Sequence, residues 1–115
     1  MSNDIEKLLS EISINIEKIS KAIILKPLLE YRELKNEKID ELVNSDTLRD
    51  VWDACDGSLN VTEIANKLKR NKGNISREIK PWIVSKITFE IIRDKSKYPI
   101  TIDGIINLII LSCIE

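Results

Sequence analysis

At 115 residues, with 43% apolar and 32% charged side chains, the chain is sized for one globular domain able to bury a real core. It holds no histidine, which excludes histidine-based triads and Cys/His zinc sites, and its two cysteines, Cys55 and Cys113, make no CxxC pair. The formal charge of -1 hides an asymmetry. Residues 1–65 carry 14 acidic and 8 basic side chains, a balance of -6, while residues 66–115 carry 5 and 10, a balance of +5.

The N-terminus has Asp4 and Glu6 where a signal peptide would be basic, so no leader is expected. Residues 1–26 read as one helix with a heptad seam, because Ile5, Leu9, Ile12, Ile16, Ile19 and Ile23 follow a 4-3-4-3-4 spacing. The flanking Ser13, Asn15, Ser20 and Ala22 are small or uncharged, and isoleucine at both core positions disfavours a parallel dimer. A wider self-association is expected, as a homodimer or higher homo-oligomer; the plain alternative is an amphipathic helix covering its own domain. Pro27 is expected to end or kink this helix.

Residues 27–115 read as the second unit. "LLEYRELKNEKIDELVNS" is helical, with Leu28, Tyr31, Leu34, Leu42 and Val43 apolar and a break near Lys35–Asn36. Asn44-Ser45-Asp46 caps "TLRDVWDACDG", where Leu48, Val51, Trp52 and Cys55 face inward and Gly57 is the stop. "SLNV" reads as a short extended piece, and Thr62 as the N-cap of "EIANKLK", with Ile64, Ala65 and Leu68 inward. Asn71 can cap "KGNISREIK", with Ile75 and Ile79 inward; Pro81 and Trp82 are expected to interrupt it, leaving "WIVSKI" as a kinked continuation or a fresh turn. "TFEIIRD" and "YPITI" are β-rich runs around "KSK", a hairpin with a basic tip. Asp103 is expected to cap "GIINLIILSCIE", a helix apolar nearly all round, which must be buried in the core or against a partner. That run is too short to span a bilayer. Trp52 and Trp82 read as core residues. The whole is mainly α with a small β-hairpin and a long N-terminal helix, expected in the cytoplasm with reduced thiols.

The stretch "DACDGSLNVTEIANKLKRNKGNISREIK", residues 53–80, with the hairpin that follows to Ile102, resembles a winged helix-turn-helix. "NKGNISR" is similar to the opening of the recognition helix in MarR-like and related archaeal transcription regulators. Ala65 matches the small position where the two helices cross, and Ile75 the apolar anchor ten residues later. Two departures stand out. Lys69 and Arg70 replace the usual glycine and apolar residue of the turn, so the first helix of the motif is expected to end about half a turn later. Pro81 should shorten or bend the second.

The resemblance implies contact with double-stranded DNA. Lys72, Asn74, Ser76 and Arg77 fall in the half of the recognition helix that enters the major groove, with Gly73 allowing close approach. Asn74 and Arg77 are the types that read adenine and guanine with paired hydrogen bonds. Lys69, Arg70 and Lys80 suit phosphates, Thr62 offers a hydroxyl at a helix N-terminus, and Arg93, Lys95 and Lys97 on the hairpin suit phosphates or the minor groove. The expected function is a dimeric transcriptional regulator. The alternatives are a DNA-coating chromatin or plasmid-partition protein, and a protein-interaction winged helix of transcription or replication machinery. A solvated lysine-rich face is the bland reading of the same residues. With no glycine-rich phosphate loop and no carboxylates paired in apolar sequence, neither an enzyme nor a cofactor or metal site is expected.

Overall fold

A computed structural model describes residues 21–114. Ile5, Leu9, Ile12, Ile16 and Ile19 of the seam lie outside the described residues, and Ile23 falls in the first turn of the first helix. Six helices and one hairpin follow among the described residues: α1 (Lys21–Leu34), α2 (Asn36–Leu42), α3 (Asp46–Ala54), α4 (Val61–Leu68), α5 (Lys72–Val84), β1 (Thr88–Arg93), β2 (Ser96–Thr101) and α6 (Ile102–Ile114). α1 packs along α6, α4 packs on α5, and α5 leads into the hairpin.

Neither proline breaks its helix. Pro27 lies inside α1 and Pro81 inside α5, so of the outcomes expected at each, an interruption or a bend, the interruption does not occur. Each deletes one backbone bond, to residue i−4, but the buried line of its helix runs on past it. In α1 that line is Ile24, Leu28 and Tyr31; in α5 it is Ile75, Ile79 and Trp82. Pro81 is itself exposed, so water can serve the Arg77 carbonyl it leaves unbonded. The chain does break at Lys35, as expected, while Leu34 is 82% exposed and adds nothing to the core.

Ser45 caps α3, its hydroxyl accepting from the Leu48 N–H at 3.2 Å. The helix ends at Ala54, ahead of Gly57, whose role is different. Gly57 has φ +86° and donates its N–H to the Pro99 carbonyl at 3.0 Å, beside a single antiparallel bridge between Asp56 and Ile100. "SLNV" therefore forms no strand; pairing with β2 is confined to Asp56, just before it.

β1 and β2 pair antiparallel from Thr88↔Thr101 to Arg93↔Ser96. Asp94 and Lys95 close the hairpin with φ of 49° and 67°, the signs of a type I′ turn. The tip is thus Asp94–Lys95, and Ser96 and Lys97 already belong to β2.

The core is built on Trp52 and Trp82, edge to face at 5.4 Å and 79°. Both indole N–H groups are satisfied: Trp82 donates to the Leu42 carbonyl and Trp52 to Asp103 Oδ2, each at 3.2 Å. Asp103 also accepts from Arg32 Nε at 2.9 Å, so one carboxylate ties α1 and α3 to α6. It is not the cap of α6. That role falls to Thr101, whose hydroxyl accepts from the Gly104 N–H at 2.9 Å. α6 buries Ile102, Ile105, Ile106 and Ile109, yet Leu108, Ile110 and Leu111 are 41%, 39% and 63% exposed. Full burial, expected from its composition, is not met within one chain. No helix among the described residues is long and apolar enough to cross a membrane.

Candidate nucleic-acid interface

The cation-rich run from Lys69 to Lys80 forms the turn between α4 and α5 and the outer face of α5. α4 starts at Val61, two residues earlier than Thr62 as a cap requires. Asn60 is the N-cap, accepting from the Glu63 N–H at 2.9 Å, while the Glu63 carboxylate accepts from the Asn60 N–H at 3.0 Å. This reciprocal pair is legible in the sequence as Asn-x-x-Glu, a signal that the choice of Thr62 overlooked. Thr62 is exposed in the first turn.

α4 ends at Leu68, with no extra half-turn. Lys69 takes the left-handed conformation (φ 55°, ψ 47°) usually given to glycine, and the Arg70 N–H closes on the Ala65 carbonyl at 2.9 Å. Asn71 then caps α5 as expected, its Oδ1 accepting from the Gly73 N–H at 2.8 Å and the Asn74 N–H at 3.3 Å. Gly73 has a local purpose here. A Cβ on it would stand 3.0 Å from that same Asn71 oxygen, crowding the cap.

The buried line of α5 dictates what faces out. With Ile75, Ile79 and Trp82 inward, the positions half a turn away are Gly73, Arg77, Lys80 and Val84, spaced four, three and four apart. Lys69, Lys72, Asn74, Ser76, Arg77 and Lys80 are all exposed. Arg77 Nη2 donates to Asn74 Oδ1 at 2.5 Å, so the two proposed base-reading side chains are joined into one hydrogen-bonded unit. Val84, 70% exposed on the same line, carries an apolar end that the charge pattern gave no reason to notice.

Two of the expected phosphate-binding arginines are committed elsewhere. Arg70 makes a two-pronged ion pair with Glu78, at 2.8 and 2.6 Å, with side chains only 25% and 22% exposed. It ties the turn to α5 and cancels the one negative charge between Lys67 and Lys80. Arg93 lies over the Tyr98 ring at 4.4 Å and donates to the Gly57 carbonyl, bracing the hairpin against the chain after α3. Lys95 and Lys97 remain exposed on the hairpin.

Cys55 is the described thiol; burial, with Asp56 adding to it, pushes it up to about 12, leaving it protonated and inert. A polar cleft of about 310 Å³ beside it is lined by Arg49, Asp53, Asp56 and Asn107. No group of three or more metal-binding side chains is assembled among the described residues. The chain matches no protein-family profile, no curated protein and no solved structure.

Proposed function

We propose that the protein is a double-stranded DNA-binding regulator that works as a homodimer, with α4 and α5 as a helix-turn-helix and the hairpin as its wing. One observation carries the reading. The line of α5 that points away from the core is the line that holds Arg77 and Lys80, flanked by Lys72, Asn74 and Ser76, in a chain whose first half is acidic. A helix presented this way fits the major groove, where Asn and Arg distinguish base edges. Lys69, Lys72, Lys80, Lys95 and Lys97 neutralise phosphates; Arg70 and Arg93 brace the elements that carry them.

A second reading, a protein that coats DNA without reading it, is favoured by the Asn74–Arg77 hydrogen bond, which occupies the Asn74 oxygen needed to receive adenine's amino group. Binding to random duplex and to DNA from the protein's own promoter, across about 50 to 200 mM salt, separates the two. The regulator keeps tight promoter binding as salt rises and loses it in the Asn74→Ala, Arg77→Ala double variant. A coating protein binds both duplexes equally, with steep salt dependence and no response to the variant. Absence of binding at low salt rules out both.

A further inference from the structure

The side chains around the start of α5 differ in what they can give and take in a hydrogen bond. From Lys69 to Lys80 the amide and carboxylate oxygens belong to Asn71, Asn74 and Glu78, and each residue is already bonded within the chain. Asn71 Oδ1 accepts from the Gly73 and Asn74 N–H groups, at 2.8 and 3.3 Å. Both Glu78 oxygens accept from Arg70, at 2.8 and 2.6 Å. Asn74 Oδ1 accepts from Arg77 Nη2 at 2.5 Å. What these side chains leave to a partner is therefore a set of donors, with the Ser76 hydroxyl as the one group that can also accept.

The orientation of the Asn74 amide follows from its neighbour. Arginine has donors and no acceptor, so it can meet the amide only at its oxygen. The Asn74 nitrogen is left with its N–H donors to offer, beside a guanidinium that offers nothing but donors, and both side chains are exposed. We propose that Asn74 and Arg77 read DNA as one all-donor unit. It selects a guanine with a second guanine or a thymine beside it, and discriminates against adenine or cytosine in that second place. This inference rests on the DNA-binding reading above and deepens it by naming the target.

The base edges supply the complement. In the major groove guanine shows two acceptors, N7 and O6, and takes a guanidinium with paired bonds. The base beside it meets the Asn74 N–H. A guanine there offers N7 and O6 and a thymine offers O4, whereas adenine sets its N6 amino group, and cytosine its N4 amino group, against a donor. Paired recognition of adenine by asparagine needs the amide oxygen at N6 and the amide nitrogen at N7. With Oδ1 held by Arg77, that arrangement requires the Asn74–Arg77 bond to break first. Placement agrees: residues three apart are neighbours on a helix surface, and Asn74 lies in the first turn, the end that enters the groove. The bond also holds the Arg77 side chain before DNA arrives, which lowers the cost of ordering it on binding.

The test is selection of duplexes from a random-sequence pool by the full chain, followed by anisotropy titrations on sites that differ in a single step. The wild type should enrich guanine–guanine or guanine–thymine steps. It should bind them on the order of 10-fold more tightly than the same site with adenine or cytosine in the second place. Asn74→Asp keeps an oxygen for Arg77 and replaces the remaining donors by a second oxygen. Its preference should move to the amino-bearing bases, read as a ratio between duplexes, and a carboxylate in the first turn suits the helix N-terminus. Should this variant bind too weakly to compare, Asn74→Ala decides: it should keep the guanine and lose the choice beside it. Enrichment of guanine–adenine steps by the wild type overturns the proposal, because the amide oxygen would then be facing adenine. So does either variant that retains the wild-type choice. Tight binding with no shared step defeats this inference alone and leaves a DNA-coating protein. Failure to bind any duplex at low salt defeats the DNA reading along with it.

Discussion

α5 and α6 are each 13 residues long, and each buries one apolar line, yet their outer faces are opposites. α5 turns Lys72, Ser76, Arg77 and Lys80 to the outside; α6 turns Leu108, Ile110 and Leu111. The inner lines obey one rule, that apolar residues recurring at helical spacing pack into the core. The outer lines obey no common rule, because burial does not constrain them. A cationic face suits a charged, hydrated surface, whereas an apolar face is costly in water and is relieved by another apolar face. Burial explains the fold of both helices; the outer composition is what separates them.

The largest expected effect breaks the contrast at α5. Reversing two charges with Arg77→Glu and Lys80→Glu should lower affinity for duplex DNA on the order of 100-fold at moderate salt, with the solution mass unchanged. A filter-binding or anisotropy titration beside light scattering reads both quantities. On the α6 side, Asp103→Ala removes the acceptor for both Arg32 and Trp52 and should cost about 2 kcal/mol in chemical denaturation. A loss near zero would mean that packing alone holds α6 to α1 and α3.

The cations of the α5 surface also differ among themselves. Arg70→Gln leaves Glu78 unpaired at a half-buried site and should cost about 1 kcal/mol of stability. It should leave the salt dependence of DNA binding unaltered, whereas Lys80→Gln should lower the slope by about 0.9. A matching drop for Arg70→Gln would assign that arginine to a phosphate after all. A smaller change is expected between the helices, at Thr88, whose hydroxyl is fully buried without a hydrogen-bond partner. Thr88→Val keeps the shape and should raise stability by up to about 1 kcal/mol.

Cys55 gives a pH dependence unrelated to either outer face. Its ordinary value is 9.0 and burial lifts it to about 12, so above pH 9 the unfolded chain gives up a proton that the folded chain retains. The contribution to stability is complete below pH 9 and is lost as pH rises towards about 12. Thermal melts should decline over that window, and less steeply in Cys55→Ala.

Periodicity made the inward residues of α4 and α5 legible, since Ile64, Ala65, Ile75 and Ile79 need only a helix and a core to be placed. Ser45 and Asn71 were legible as caps because their hydrogen bonds close within three residues. What escaped were choices settled by tertiary contact. Pro27 and Pro81 read as breaks or kinks because the local cost of proline is visible and the buried line that outlasts it is not. Asp103 read as a cap because its bonds to Arg32 and Trp52 span 71 and 51 positions. For the same reason Arg70 and Arg93 resembled free cations. A sequence shows that a charge is present, but not that Glu78 or Tyr98 has already engaged it.

The joint between β2 and α6 has no spare length. Thr101 ends the strand, Ile102 begins the helix, and the Ile102 N–H bonds the Ile87 carbonyl at 2.9 Å. One residue inserted there would turn α6 by about 100°, carrying Ile106 and Ile109 out of their buried places and bringing Gly104 and Leu108 in. Isoleucines that fill the core would swing towards water, and exposed side chains would be driven inward. The tolerance of this chain to insertions and deletions should therefore be uneven: permissive around Lys35 and at the hairpin tip, and close to nil at Thr101–Ile102.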